Sequence, residues 1–108
     1  KVFDSNGQVA ELYNYNKSGE LKSIKRYTYN KAGDEIEELT MNASKVMQEK
    51  KTTKYNVDGD KTEENVYDAG GKLVKRHVYL YNVNGFKTEK RTYDEAGKLT
   101  NTHKYVYN

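Results

Sequence analysis

Two histidines are the residues of this sequence best suited to metal or proton-transfer chemistry. His77 and His103 lie 26 residues apart, and imidazole nitrogen is a common zinc ligand. The positions 26 and 52 residues before His77 hold Lys51 and Lys25, whose ammonium groups have no lone pair to offer a metal at neutral pH. We therefore interpret the histidines as surface residues copied with a repeat and expect no metal ligands.

Acidic residues recur at the same interval and form what we call the glutamate column: Glu11, Glu37, Glu63 and Glu89. Two carboxylates can hydrolyse a glycosidic bond only when they flank it closely. Equivalent positions two strands apart on an open face do not meet that condition. We expect the column to form salt bridges with neighbouring cations.

One segment resembles the first half of a calcium-binding loop, with Asn56, Asp58 and Asp60 at alternating positions. Such a loop needs a glutamate at its twelfth position, and that position is Tyr67. The sequence also shows no Gly-rich phosphate loop and no nucleophile motif. We expect a protein that is not an enzyme, with no catalytic residue and no cofactor.

Tyrosine supplies 11 of the 108 residues and leaves two interpretations open. The rings could pack on neighbouring strands, or they could contact a carbohydrate. Nucleic acid is not expected as a partner, because a base-stacking platform needs a net-basic groove and Glu accompanies Lys in every repeat. The aromatic candidates for packing or ligand contact are Tyr27, Tyr79, Tyr81, Tyr105 and Tyr107.

These residues belong to an internal repeat. Eight segments share an aromatic residue, then Asn or Asp, then two residues, then Gly; they start at Phe3, Tyr15, Tyr29, Met41, Tyr55, Tyr67, Tyr81 and Tyr93. The starts are separated alternately by 12 and 14 residues, so the unit is 26 residues long. Residues 1–108 are predicted to be a single repeat domain of four units that start near 3, 29, 55 and 81, cut from a longer array. Only the segment 41–45 departs from the motif, with Met41 for Tyr and Lys45 for Gly.

The motif predicts tight hairpins. Asn or Asp favours a type I turn, and Gly accepts the left-handed conformation of the bulge that closes it. The turn glycines are Gly7, Gly19, Gly33, Gly59, Gly71, Gly85 and Gly97. We predict an all-β antiparallel meander of about eight or nine strands, in an open or curled sheet.

Counting outward from such turns gives a predicted register. Tyr67 falls opposite Lys72, which places Glu63 opposite Arg76. The same count places Glu11 opposite Ile24, Glu37 opposite Lys50 and Glu89 opposite Thr102. Simple alternation assigns Leu73, Lys75, His77, Tyr79 and Tyr81 to one face.

Charge and composition limit the partners. The net charge is +3, from 19 basic and 16 acidic residues that are interspersed, and there is no cysteine. No apolar run is long enough to cross a bilayer, so membrane insertion is not expected. The end strands carry open backbone groups, which favours self-association or a protein partner.

The segment YNVDGDKTEENVYDAGGKLVKRHVYLYN (55–82) resembles the Tyr-Asp (YD) repeats of the Rhs family, in the variant found in exported proteins of Bacteroidetes-type bacteria. The resemblance implies a hairpin ribbon on the cell surface, in the envelope or in a secreted protein, with a structural or interaction role. More distantly, FDSNGQ (3–8) is similar to aromatic glucan-binding repeats. A carbohydrate-binding domain is therefore the alternative.

Overall fold

The chain folds into one antiparallel sheet of nine strands. The computed structural model describes residues 1–107, in which each strand pairs with the next along the chain. The sheet is an antiparallel meander, as the repeat predicted, and it is not closed, because the first strand, β1, and the last, β9, are not paired with each other. The strands are β1 (Val2–Phe3), β2 (Val9–Tyr15), β3 (Leu21–Tyr29), β4 (Glu35–Asn42), β5 (Met47–Tyr55), β6 (Lys61–Tyr67), β7 (Leu73–Tyr81), β8 (Lys87–Asp94) and β9 (Leu99–Lys104).

Every connection is the tight turn that the motif predicts. Between β6 and β7, the Gly71 N–H donates to the Asp68 carbonyl (3.0 Å), and the Asp68 N–H donates to the Lys72 carbonyl (2.9 Å). The Asp68 carboxylate accepts the N–H groups of Gly70 and Lys72, both at 3.0 Å. Gly71 has φ +83°, which glycine adopts without steric penalty. The same backbone bonds recur at the other seven turns, and all seven predicted turn glycines have positive φ.

A second irregularity follows each turn. Tyr67 pairs with Leu73 but Val66 pairs with Lys75, so Val74 is an extra residue in β7. A single-residue shift of this kind is a β-bulge, which increases local twist. It recurs in the strand after every turn, three residues beyond the glycine position, at Ala10, Lys22, Ile36, Gln48, Thr62, Val74, Thr88 and Thr100.

The predicted register is wrong by two residues at each glutamate: one residue of the error arises at the turn, where Asp68 bonds to Lys72, and the other arises at the bulge. Tyr67 lies opposite Leu73 rather than Lys72, and Glu63 lies opposite Val78 rather than Arg76. Each of the other glutamates is displaced equally: the observed partners are Arg26 for Glu11, Thr52 for Glu37 and Lys104 for Glu89. Because side chains alternate with a period of two, this shift leaves each glutamate on the predicted face.

Leu73 is the one residue assigned to the wrong face. It pairs with Tyr67, whereas Lys75 pairs with Val66 on the opposite side of the sheet. The extra residue Val74 interrupts the alternation between Leu73 and Lys75. Leu73 therefore lies on the face of Arg76 and Val78.

The sheet is a single layer with very little interior. Its buried residues are Ile24, Met41, Tyr79, Thr53 and Asn65. The radius of gyration is 16.4 Å, whereas a compact domain of this length has about 13 Å. Most side chains are half-buried against their neighbours on adjacent strands, with no second layer over either face.

The most buried pair lies at the one position where the motif loses its tyrosine. Met41 is 5% exposed and pairs with Ile24, which is 1% exposed. The equivalent pairs in the next units are Tyr67 with Lys50 and Tyr93 with Arg76, in which the cation lies 5.4 and 5.9 Å from the ring centre. Methionine is therefore matched by an apolar partner, whereas each tyrosine is matched by a cation.

Lys45 is the point of backbone strain. It has φ +65° and is the only residue other than glycine with positive φ in the described chain. Its turn is otherwise unchanged, since the Lys45 N–H donates to the Asn42 carbonyl at 3.0 Å. The left-handed conformation disfavours a side chain by roughly 1–2 kcal/mol.

We predict that Lys45→Gly raises the free energy of unfolding by about 1 kcal/mol, because the strain is relieved and only part of the gain is lost to the freer unfolded chain. Urea denaturation measures the change. Lys31→Gly, in an equivalent turn but not at the left-handed position, should not stabilise. An unchanged or lower stability of Lys45→Gly would contradict the prediction.

Candidate functional site

The predicted aromatic residues share one face of the sheet, which we call the tyrosine face. Alternation along β3 and β7 puts Tyr27 and Tyr79 on this face, and cross-strand pairing extends it to their neighbours. Tyr105 continues the sheet beyond β9, since its N–H donates to the Thr88 carbonyl at 3.0 Å. Thr53 occupies the equivalent position on β5.

Tyrosines at the ends of β3, β5 and β7, and Tyr107 beyond β9, connect one hairpin to the previous one. The Tyr81 hydroxyl donates to the carbonyl of Lys61, which is 20 residues earlier. The same bond recurs from Tyr29 to Val9 (2.8 Å), from Tyr55 to Glu35 (2.7 Å) and from Tyr107 to Lys87 (2.7 Å). Two of the five aromatic candidates, Tyr81 and Tyr107, therefore have a structural hydrogen bond.

Tyr79 is the most buried aromatic residue, with 8% of its surface exposed. Its ring lies beneath the ammonium groups of Lys87, Lys61 and Lys90, at 5.0, 5.6 and 5.7 Å from the ring centre. Burial raises the pKa of the Tyr79 phenol, and the Glu64 carboxylate adds to that effect. Aliphatic lysine stems cover aromatic surface well while their charged ends reach water.

A lysine also lies over the ring of Tyr105, the equivalent tyrosine of the following unit. Lys87 lies 5.4 Å from the centre of the Tyr105 ring, and the His103 ring packs against that ring in a tilted arrangement, with 4.7 Å between centres. The second lysine, Lys90, pairs with His103 on one side and with Tyr79 on the other. Strands β7, β8 and β9 thus bring together a basic and aromatic cluster that the sequence analysis did not identify, because its members become neighbours only through the strand pairing.

The two histidines lie on this face without converging on a common point. The His77 Nδ1 atom is 2.9 Å from the Thr92 hydroxyl, whereas His103 packs against the Tyr105 ring. Burial lowers the pKa of His77, and the nearby Lys90, Lys75 and Lys51 lower it further against the opposing effect of Glu64. Within residues 1–107, no three His, Asp or Glu side chains are grouped so as to hold a metal ion.

The segment that resembles a calcium loop is a hairpin turn, and the side-chain oxygen of Asn56 already accepts backbone hydrogen bonds within it. The Asn56 side-chain oxygen accepts the N–H groups of Asp58 and Asp60, both at 3.0 Å. This arrangement is the one found at Asp68, so turn chemistry accounts for the Asn, Asp and Gly residues of the motif.

The opposite face, which we call the glutamate face, carries the glutamate column. Glu63 binds Arg76 at 2.9 Å and Lys54 at 3.6 Å, and Glu11 binds Arg26 at 3.2 Å. A hydrogen bond from Asn65 and the Arg76 guanidinium lower the pKa of Glu63. Glu89 pairs with Arg91 in its own strand. Exposed pairs contribute little each, about 0.2–1 kcal/mol.

A shallow cleft of about 520 Å³ lies on the glutamate face beside the last turn. Tyr93 and Arg76 form part of its wall, and Arg76 is held by Glu63. The Asp94 carboxylate accepts the N–H groups of Ala96 and Lys98, both at 2.9 Å. Because its charged groups already have partners, the cleft offers a ligand few free contacts.

Comparison with known proteins gives no family. No protein-family model matches this chain, and no curated protein matches it. The described residues include no helix of the length and apolarity required to span a membrane. The resemblance to Tyr-Asp repeats therefore rests on the motif itself.

We predict that Tyr81→Phe lowers the free energy of unfolding by about 1 kcal/mol, the usual net value of one hydrogen bond, because the Lys61 carbonyl loses its donor. Urea denaturation checks this. The control is Tyr15→Phe, since Tyr15 is 62% exposed and its hydroxyl has no protein partner within residues 1–107. Equal effects of the two changes would contradict the structural role of the Tyr81 hydroxyl.

We predict that His77 makes the stability of the folded chain depend on pH. Its pKa is lower in the folded than in the unfolded chain, so the unfolded state takes up the proton first and stability falls as pH drops below about 6.5. His77→Asn should reduce this fall between pH 7 and pH 5 without a comparable loss at pH 8. Thermal melts across that range measure it, with His103→Asn as the control; an unchanged pH dependence in His77→Asn would refute the assignment.

Proposed function

We propose that this chain is a non-enzymatic structural module, a ribbon of β-hairpins that forms a scaffold and an interaction surface. The observation that carries the proposal is the repeated bond from a tyrosine hydroxyl to the backbone 20 residues earlier, made by Tyr29, Tyr55, Tyr81 and Tyr107. These tyrosines join each hairpin to the previous one. A side chain that recurs for that purpose is explained by assembly of the sheet.

The alternative function, carbohydrate binding, needs tyrosine rings with open faces. The structure gives it less support at the predicted positions: Tyr79 is buried, and lysine ammonium groups lie over the rings of Tyr79 and Tyr105. A neutral sugar would have to displace those lysines before it could stack. Packing is the better supported role for these rings.

The setting that we propose is a bacterial cell envelope or a secreted protein. Its support is the Tyr-Asn/Asp-x-x-Gly motif, which recurs along the chain in the manner of Tyr-Asp repeats.

An open edge supports the interaction role. All six residues of β9, Leu99–Lys104, are exposed, and no strand of the described residues pairs with its outer side. Unpaired backbone groups of this kind accept an added strand from another chain. We propose that a protein partner, including a second copy of this chain, associates there.

Changing the number of units tests the structural proposal. Duplicating residues 55–80 gives five units and deleting them gives three, with the 26-residue period kept. Because each repeat contacts only its neighbours, the free energy of unfolding should rise from three units to four to five. Stability independent of unit number would contradict the proposal.

The control is a duplication of residues 55–79, which is one residue out of period. A one-residue slip reverses the faces of every later strand, so this chain should gain no stability.

Sedimentation velocity on the same proteins should show association that increases with concentration. A strict monomer would contradict the proposed association at the β9 edge. Saturable NMR shifts of tyrosine rings by neutral oligosaccharides would instead favour carbohydrate binding.

A further inference from the structure

The cluster around Tyr79 has more positive than negative charge. Of its three lysines, Lys61 is paired with Glu64 at 3.1 Å; burial lowers the pKa of Lys61, but the hydrogen bond and the charge of Glu64 together with the neighbouring tyrosines raise it on balance. Lys87 and Lys90 form no ion pair within residues 1–107. Two ammonium groups beside one ring therefore lack a counter-charge from the described residues.

The sheet does not require lysine at these two positions. Two units earlier, the residues equivalent to Lys87 and Lys90 are Glu35 and Glu38, and the equivalent ring is Tyr27. The strands and the register there are the same. The glutamate column, in contrast, keeps one residue type in all four units. The reversed charge beside Tyr79 is thus not explained by folding.

Electrostatics around the cluster favour an anion. Like charges repel, and the electron-rich ring faces only partly compensate two unpaired ammonium groups. Lys75 and His77 line the same face next to Lys90. Of the carboxylates on the strands paired with them, Glu64 is engaged by Lys61 and Asp94 accepts the N–H groups of its own turn. Lys87 lies over both Tyr79 and Tyr105, so the positive charge is concentrated between β7 and β9. A bound anion would lower the repulsion and leave the sheet unchanged.

We propose that Lys87 and Lys90, held by the Tyr79 and Tyr105 rings, form a binding site for an oxyanion group, a phosphate or sulfate monoester of a larger ligand. Lysine binds such groups as a point charge with up to three donors. The face is open, so the rest of the ligand can extend over the sheet. The site goes beyond the scaffold role, which would stand even if no anion bound.

NMR titration tests the site. Inorganic phosphate and sulfate are added at constant ionic strength against chloride, and the ring signals of Tyr79, Tyr105 and Tyr27 are followed. We expect saturable shifts at Tyr79 and Tyr105 but not at Tyr27. A sugar phosphate and a sugar sulfate then show which ester binds more tightly. Shifts that chloride reproduces would mean general screening and would overturn the proposal.

Matched double variants distinguish the loss of the proposed site from a general loss of positive charge. Lys87→Gln with Lys90→Gln should weaken binding at least fivefold, whereas Lys17→Gln with Lys31→Gln, in exposed turns, removes the same charge and should leave affinity unchanged. Equal losses would overturn the proposal.

A gain of binding gives a test that does not depend on the stability of the first variant. Glu35→Lys with Glu38→Lys places the same two cations beside Tyr27 and should create saturable phosphate-dependent shifts there. Absence of those shifts in a folded variant would refute the claim that this pair of lysines makes the site.

Discussion

The whole structure depends on one physical constraint: a single sheet has no second layer that could bury either of its faces. Hydrophobic burial, which dominates the stability of most domains, is confined here to a few side chains such as Ile24 and Met41. The sheet must instead be held by contacts between neighbouring strands. Directional bonds therefore recur at the same place in every unit: an Asn or Asp oxygen in each turn, and a tyrosine hydroxyl on the preceding hairpin.

The turns and the sheet faces could be predicted from the sequence because each has a residue-type signal. Glycine is favoured at a left-handed position such as that of Gly71, a conformation that Lys45 alone among the other described residues adopts, at a cost, and an Asn or Asp such as Asp68 accepts the turn's N–H groups. The bulge that follows has no such signal, since its position holds residues as different as Ile36, Gln48 and Thr62. The bulge accounts for one of the two residues by which the predicted register was wrong; the other arose at the turn, where Asp68 rather than Tyr67 lies opposite Lys72.

Some hydrogen-bond and cross-strand packing partners also could not be predicted from the sequence. The Tyr81 hydroxyl binds a backbone carbonyl, and every residue has a carbonyl, so the acceptor cannot be recognised by type. Met41 looks like a defect when units are compared position by position. Once the register shows Ile24 opposite it, the substitution is part of a matched pair. The basic cluster of Lys87, Lys90 and Tyr79 likewise required knowledge of which strands are adjacent.

The two faces differ in how freely their charges can vary. Glu63 on the glutamate face contacts cations on both neighbouring strands, so replacing it would disturb three strands. On the tyrosine face, a change from Glu38 to the equivalent Lys90 leaves the pairing intact.

Distance weakens the interaction between the charges of successive units. Adjacent units are two strands apart, about 9.6 Å, which exceeds the screening length of about 8 Å at physiological ionic strength. The units therefore differ in local charge: a Lys25–Glu38 pair lies beside Tyr27, a Lys61–Glu64 pair lies beside Thr53, and Lys87 and Lys90, without an ion pair in residues 1–107, lie beside Tyr79. A repeat sheet of this kind can change what one unit binds without changing how its neighbours fold, because the bonds that join hairpins use backbone acceptors and leave the variable side chains out.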